Sequence, residues 1–363
     1  MKKYIYLAAL AALSVGITAC NKDYASTPSG EPDCGCIPAK LTVGIQAADN
    51  SSTKATGIVG DETDEAKVNT LQVLVFRGDA LDAYGTVSAS TSITVSCTSG
   101  ERVVYALVNG LDMKEVQTKT EFLAKVSALS DNSLTGFQMI GVKDVTLPQT
   151  ASVTIDVNRF ASRVVLKKIT NALTSKALQA LEFGVDDIYI TNVAGDCKFS
   201  RIVGTTQTAS QTAYAPTVWY NKLKLEDGNN IAAFHHDAPA YVIAYNGNKD
   251  TAHYFYAYPN PSEPETTQAE DFISGGEWSA RRTKLVVKCH IGPDTYYYPI
   301  ILPVLENNKS YEINELKITR PGSDSEDQPV SFADAVFEIN IVGWTTVLVS
   351  DINSGATDGT ITI

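Results

Sequence analysis

Histidine is almost missing from this chain. Its four copies in 363 residues, His235, His236, His253 and His290, leave little from which to build an acid–base or metal centre. The adjacent pair His235 and His236 would point to opposite sides of a strand and could not chelate together, so all four read as ordinary loop or surface histidines. The motifs G-x-S-x-G and H-E-x-x-H are absent, as is any glycine-rich phosphate loop. The chain therefore reads as a protein without catalysis and without a cofactor. Cations are also in deficit: 29 Lys and Arg stand against 41 Asp and Glu, a formal charge of −12. That net field repels a phosphate backbone and excludes nucleic acid as a partner. Two acidic clusters, Asp186-Asp187 and Asp61, Glu62, Asp64, Glu65, offer oxygen ligands. Their spacing matches no calcium loop, and charge runs are usually solvated faces, so no metal is expected.

Long apolar runs are missing after the first twenty residues, and nothing there approaches the ~18 consecutive apolar residues of a membrane span. Those twenty, MKKYIYLAALAALSVGITAC, place two lysines before an apolar stretch and small residues before Cys20, the pattern of an export signal. Ile17-Thr18-Ala19-Cys20 resembles a bacterial lipobox, which would make Cys20 the lipidated N-terminus of an outer-membrane precursor. The alternative is an ordinary cleaved signal with an incidental cysteine. Lipidation is favoured because the apolar stretch ends at Cys20, where a polar Pro/Gly-rich tether, NKDYASTPSGEPD, begins. Of the other cysteines, Cys34 and Cys36 flank one residue and are too close for a relaxed mutual bridge. Cys97, Cys197 and Cys289 read as small buried side chains, with one bridge at most among the five.

What is present is β pattern. In KLTVGIQA, Leu41, Val43, Ile45 and Ala47 alternate with polar or small residues, as a strand with one buried face requires. Strands follow at VNTLQVLVFRG and on both sides of the turn in SITVSCTSGERVVYALVNG. The spacing predicts a helix over 112–129 and a hairpin in KDVTLPQTASVTIDVNRF. From ASRVVLKKITNAL a second run of strands begins, with strands at 184–193 and 196–204, a polar excursion over 205–250, and four marked strands from AHYFYAYPN to KSYEINELKITRPG. Many short strands with few helices argue for two tandem β-sandwiches. The division is a signal over 1–19, a tether over 20–39, a first strand and loop over 40–54, and sandwiches over 55–158 and 159–363. Tyr254, Tyr256, Tyr258 and Tyr296 to Tyr298 suggest a carbohydrate platform, although tyrosines on alternating strands more commonly form sheet faces.

The stretch NSSTKATGIVGDE, residues 50–62, sets one lysine among small residues just after the first strand. Its context is that of a known family. CNKD after the lipobox, LTVGIQAADNSSTKATG leading through DETDEAKVNTLQVLVFRGD, SGERVVYALVNG, RFASRVVLKKI, YAYPN, YYYPIIL and NKSYEINELKITRPGSDSEDQPV with a later Trp344 resemble, in that order, the major fimbrial subunits (fimbrillins, or type V pilins) of Gram-negative surface fimbriae. The resemblance implies a lipidated precursor with two transthyretin-like sandwiches, a short helix in the first, and no enzymatic activity. It implies a cut by a trypsin-like protease after Lys54, leaving Ala55 as the new N-terminus. The family often has arginine at that position, so lysine leaves the protease class open. The strand bearing Leu41, Val43, Ile45 and Ala47 would then leave. A C-terminal strand from another copy, drawn from TTVLVS with Val347 and Val349 or from GTITI with Ile361 and Ile363, would replace it. Partners would be other copies, accessory subunits, the protease, and a host or bacterial surface receptor. Two other readings stand beside this one: a monomeric carbohydrate-binding lipoprotein using the tyrosine face, and an uncut anchor or accessory subunit.

Overall fold

Period-two alternation sets the first strand, and two flanking strands hold it. In the computed structural model, which describes residues 37–48, 65–133, 135–203, 216–220, 252–262, 273–274, 277–278, 281–326, 335–337 and 339–343, β1 runs over Pro38–Ala47. The next strands are β2 (Thr70–Arg77), β3 (Ala80–Ser88), β4 (Ser92–Thr98), β5 (Gly100–Val108), β6 (Val126–Ala128), β7 (Met139–Leu147) and β8 (Thr150–Arg159). Seven of them form a sheet in the order β3-β2-β5-β7-β8-β1-β4. Its two arms face each other over a shared core of Leu41, Val43, Ile45, Val95, Ile155 and Val157 on one side and Leu71, Val73, Val75, Val104 and Ala106 on the other. β2 reads as a nearly continuous apolar run because it is buried on both faces. Leu71, Val73 and Val75 enter this core, whereas Leu74 and Phe76 enter a second, larger one.

The larger core belongs mainly to the strands that follow. These are β9 (Ser162–Leu166), β10 (Ile169–Asn171), β11 (Phe183–Thr191), β12 (Val193–Ala194), β13 (Asp196–Lys198) and β14 (Trp219–Tyr220). After them come β15 (His253–Ala257), β16 (Ile273–Ser274), β17 (Glu277–Trp278), β18 (Lys284–Ile291), β19 (Asp294–Ile301), β20 (Lys309–Ile313), β21 (Leu316–Ile318), β22 (Ala335–Val336) and β23 (Ile339–Gly343). The sheet β15-β9-β20-β23 and the sheet β11-β18-β19 both supply this core, through Val164, Leu166, Phe255 and Tyr311 from the first and Ile188, Ile190, Leu285 and Val287 from the second. The fold is mostly β. The expected division at 158–159 falls at the end of β8, just before the chain enters the second group of sheets. The described residues form one compact unit, joined by the edge-to-face contact of Phe122 and Phe199 at 5.4 Å and by the pairing of β6 with β13.

Several expectations are corrected. The helix expected over 112–129 is only α1, Lys119–Ala124. Gln72 Oε1 accepts from Met113 N at 2.9 Å and holds the preceding residues in a turn, and Thr118 Oγ1 accepts from Glu121 N at 3.0 Å and caps the helix at its start. Lys125 then turns extended, and Val126–Ala128 joins β13, so tertiary pairing overrides helical periodicity. The second half also has short helices, α2 (Lys176–Gln179) and α3 (Phe199–Ile202), the latter replacing the end of the strand expected over 196–204. The expected hairpin of β7 and β8 pairs only at Met139 with Arg159 and Ile140 with Asn158. Beyond that point β7 follows β5 and β8 follows β1. β3 was not expected at all, because Asp82 and Gly85 interrupt its pattern.

Candidate functional site

β1 is an internal strand. It pairs parallel with β8, from Lys40 opposite Thr150 to Ala47 opposite Val157, and antiparallel with β4, from Pro38 opposite Thr98 to Gly44 opposite Ser92. Leu41 and Val43 are fully buried and Ile45 and Ala39 nearly so. Ala47, expected on the same buried face, is only half-buried, because the strand is leaving the sheet there and Ala48 takes the buried place. The outward side is polar: Thr42 and Thr94 hydroxyls lie 2.9 Å apart, and Gln46 Nε2 donates to Asp156 Oδ1 at 2.7 Å. At about 1.5–3 kcal/mol per large apolar side chain, Leu41, Val43 and Ile45 hold roughly 5–9 kcal/mol of burial. A domain is stable by only about 5–15 kcal/mol, so a vacated β1 slot would not stay empty. Its loss would also strip ladder partners from both β8 and β4.

The last described residue after β1, Ala48, and the next described one, Glu65, both lie beside β8. Ala48 N donates to Val157 O at 3.0 Å, and on the far side Arg159 Nη2 donates to Glu65 O at 3.2 Å. Glu65 is buried, with its carboxylate on Arg163 Nη1 of β9 at 2.8 Å and on the Tyr256 hydroxyl. Arg163 also donates to Ser310 Oγ at 3.1 Å and lies 3.9 Å from Glu312, which pairs with Lys167 at 3.1 Å. Burial and the Glu65 charge push the Tyr256 phenol well above its ordinary range. Glu65 is therefore no member of a solvated acidic face or of a cation site, as its sequence cluster suggested. Sequence reasoning missed this cluster. The available signal was Arg163, a cation set immediately before the apolar run VVL.

The other singled-out residues lie as follows. Cys20, Cys34, Cys36, Lys54, Ala55, Asp61, Glu62, Asp64, His235, His236, Trp344, Val347, Val349, Ile361 and Ile363 fall outside the described residues. Tyr256, Tyr258 and Tyr298 are buried, and the Tyr258 hydroxyl is bonded to Asn132 and Ser127 at 2.6 Å each. The carbohydrate platform is thus contradicted at its central residues, which are core. His253 is buried in β15 rather than on the surface. His290 Nδ1 lies 2.6 Å from Asp186 Oδ1, so Asp186 is a hydrogen-bond partner of that histidine. Cys97, Cys197 and Cys289 are free and buried. Among the described residues no cluster of His, Cys, Asp and Glu could hold a metal ion, and no helix is long and apolar enough to cross a membrane.

Residues 39–174 match the family described as Major fimbrial subunit protein (FimA). Two curated relatives, Major fimbrium subunit FimA type-2 and FimA type-3 of Porphyromonas gingivalis, are each 32% identical over 138 residues, which is 38% of this chain and 32% of each relative. The chain spans about a third of the length of the curated relatives it matches. Among solved structures, a fimbrilin (FimA) from Porphyromonas gingivalis W83 is similar over 85% of this chain and 98% of that one, with a TM-score of 0.60 and 15% identity. The tip fimbrial protein Mfa3 from Porphyromonas gingivalis with C-terminal truncation is similar over 85% of this chain and 100% of that one, with a TM-score of 0.52 and 13% identity. At these identities the structural likeness is one of fold. The resemblance of this chain to the major fimbrial subunits, drawn from its motifs, stands. That family is one of structural subunits.

Proposed function

We propose that this chain, similar over residues 39–174 to the major fimbrial subunits, is a structural subunit of a surface fimbria that supports cell adhesion. In this reading two tandem transthyretin-like sandwiches are exported as a precursor lipidated at Cys20 and held on the outer membrane. A trypsin-like protease cuts after Lys54, and the piece carrying the lipid, the tether and β1 departs. A C-terminal strand from another copy, carrying Val347 and Val349 or Ile361 and Ile363, then enters the slot. The observation that supports this most is the place of β1. It is an internal strand with a separable, all-apolar inner face, and Ala48 and Glu65, on either side of residues 49–64, are both bonded to β8. Strand donation would restore that face together with the ladders to β8 and β4.

The test is limited trypsin digestion of the chain lacking its first twenty residues. The expected outcome is a single early cut after Lys54, loss of the small N-terminal piece, and ladders of stable oligomers on an unboiled gel. A chain that is cut there, loses β1 and stays monomeric would overturn strand donation. If surface material begins at Cys20 rather than Ala55, the protein is an uncut anchor or accessory subunit.

A further inference from the structure

We infer that Glu65 is the positioning residue that fixes where the releasable part of the chain ends, by locking the start of the segment leading into β2 onto the second half of the molecule. Glu65 is the first described residue after Ala48 and is buried. Its carboxylate meets Arg163 Nη1 on β9 at 2.8 Å and the hydroxyl of Tyr256 on β15, while its own carbonyl accepts from Arg159 at 3.2 Å. Arg163 and Lys167 face Glu65 and Glu312, so each of these two carboxylates has a cation beside it. A buried pair of this kind strongly resists the loss of one partner, because the other is left charged without compensation. Just beyond it, Ala66 and Val68 are buried, and Asn109, with φ 51, accepts from Asn69 N at 2.8 Å and donates to Lys67 O at 2.8 Å. Two anchors thus act in series, and Glu65 is the outer one. It ties the start of the first half to β9 and β15 of the second.

The consequence, which rests on the fimbrial reading, is that β1 and the loop leave while residue 65 stays. The vacated core keeps Val68 and its wall, and the new N-terminal tail hangs from a fixed root.

The test compares Glu65→Ala and Glu65→Gln with the unchanged chain by hydrogen exchange of the uncut protein. Amides of residues 65–69 should exchange about tenfold faster or more in both variants, since a hydrogen-bonded charge is lost, while those of β11, β18 and β19 keep their rates. Glu65→Asp should restore part of the protection. After trypsin, an aminopeptidase should trim the unchanged protein only as far as Glu65 but reach Val68 in Glu65→Ala. Unaltered exchange at 65–69 in Glu65→Ala, or trimming of the unchanged protein past Glu65, overturns the assignment. If Glu65→Ala does not fold, Tyr256→Phe, which removes one hydrogen bond to Glu65, must speed the same amides, and no change there overturns it as well. The exchange arm uses uncut protein, so failure to cut at Lys54 would sink the fimbrial reading without touching the anchor.

Discussion

The thiol of Cys97 should report the departure of β1. It sits on β4 directly opposite Ala39 of β1, and its side chain joins the core formed with Leu41 and Val43. It is free, and burial first, then the Asp82 charge, push its pKa above the usual thiol value, with Arg102 partly opposing. Both burial and protonation keep it inert while β1 is in place. The roughly 5–9 kcal/mol held by Leu41, Val43 and Ile45 makes spontaneous opening about four to six decades rarer than the opened state reached by removing β1.

The assay is thiol titration with an aromatic disulfide at mildly alkaline pH, in a chain beginning after Cys20 with Cys34 and Cys36 changed to serine. The uncut chain should show no fast thiol. After the cut and removal of β1, one should react quickly, because solvation returns it toward its ordinary pKa. Cys197, whose thiol burial pushes up to about 12, and Cys289 lie in the other core and stay silent. Once strands are donated the fast thiol should vanish again. Fast labelling of Cys97 in the uncut chain, or silence after β1 has gone, would refute the assignment of β1 as the cover of this core.

Val43→Asp should place an unpaired carboxylate in the same core and loosen β1 without any cut, since burying it uncompensated costs several kcal/mol. Cys97 would then label in the uncut variant, whereas Lys40→Asp, on the exposed face of β1, should change stability by less than about 0.5 kcal/mol. Gly141→Val should lower the melting temperature by an amount matching about 1–3 kcal/mol or more, because a Cβ there would meet the backbone oxygen of Asp156 at 2.1 Å. Near-ultraviolet titration of the tyrosines should be split. Burial raises Tyr189, Tyr256, Tyr258 and Tyr311 in the folded chain, so their contribution to stability is full below the unfolded tyrosine pKa of about 10 and is lost as pH rises above it. Their ionisation should therefore coincide with alkaline unfolding rather than precede it.

β1 was legible from alternation alone because its two faces differ so completely, and β18 and β19 because turn residues bracket them. The helix over 112–129 misled for a physical reason. Met113, Val116 and Phe122 are all buried, as its periodicity implied, yet a side chain from β2 and a strand from the second half impose other backbone on either side of α1. The tyrosines in and just after β15 left a carbohydrate platform open beside the commoner reading as sheet faces, because a sequence does not show what covers a sheet. Tyr256 is covered by Glu65, nearly two hundred residues earlier, and Tyr258 by Ser127 and Asn132. Such long-range polar closure leaves only weak local marks, of which the arginine in β9 is one.

If β1 leaves as proposed, the two cores would give the opened chain a reason to survive. β2, β5 and β7 send alternate side chains to each: Val104, Ala106 and Met139 to the smaller, Tyr105, Leu107 and Ile140 to the larger. No residue of β1, β4 or β8 belongs to the larger core. Removing β1 therefore empties one side of the central strands and leaves the other packed. β4 fares differently. It ends the sheet order, and among the described residues β1 is its only ladder partner, so without β1 it would keep side-chain packing and, at its end, the bonds from Thr98 N and Oγ1 to Asp82 of β3 at 2.9 and 2.8 Å. A donor entering in the direction of β1 would run parallel to β8 and antiparallel to β4 and restore both ladders together. In the proposed reading, the start of β4, away from the Thr98–Asp82 bonds, would be the part of the open form that frays first, so donation would have to follow the cut closely.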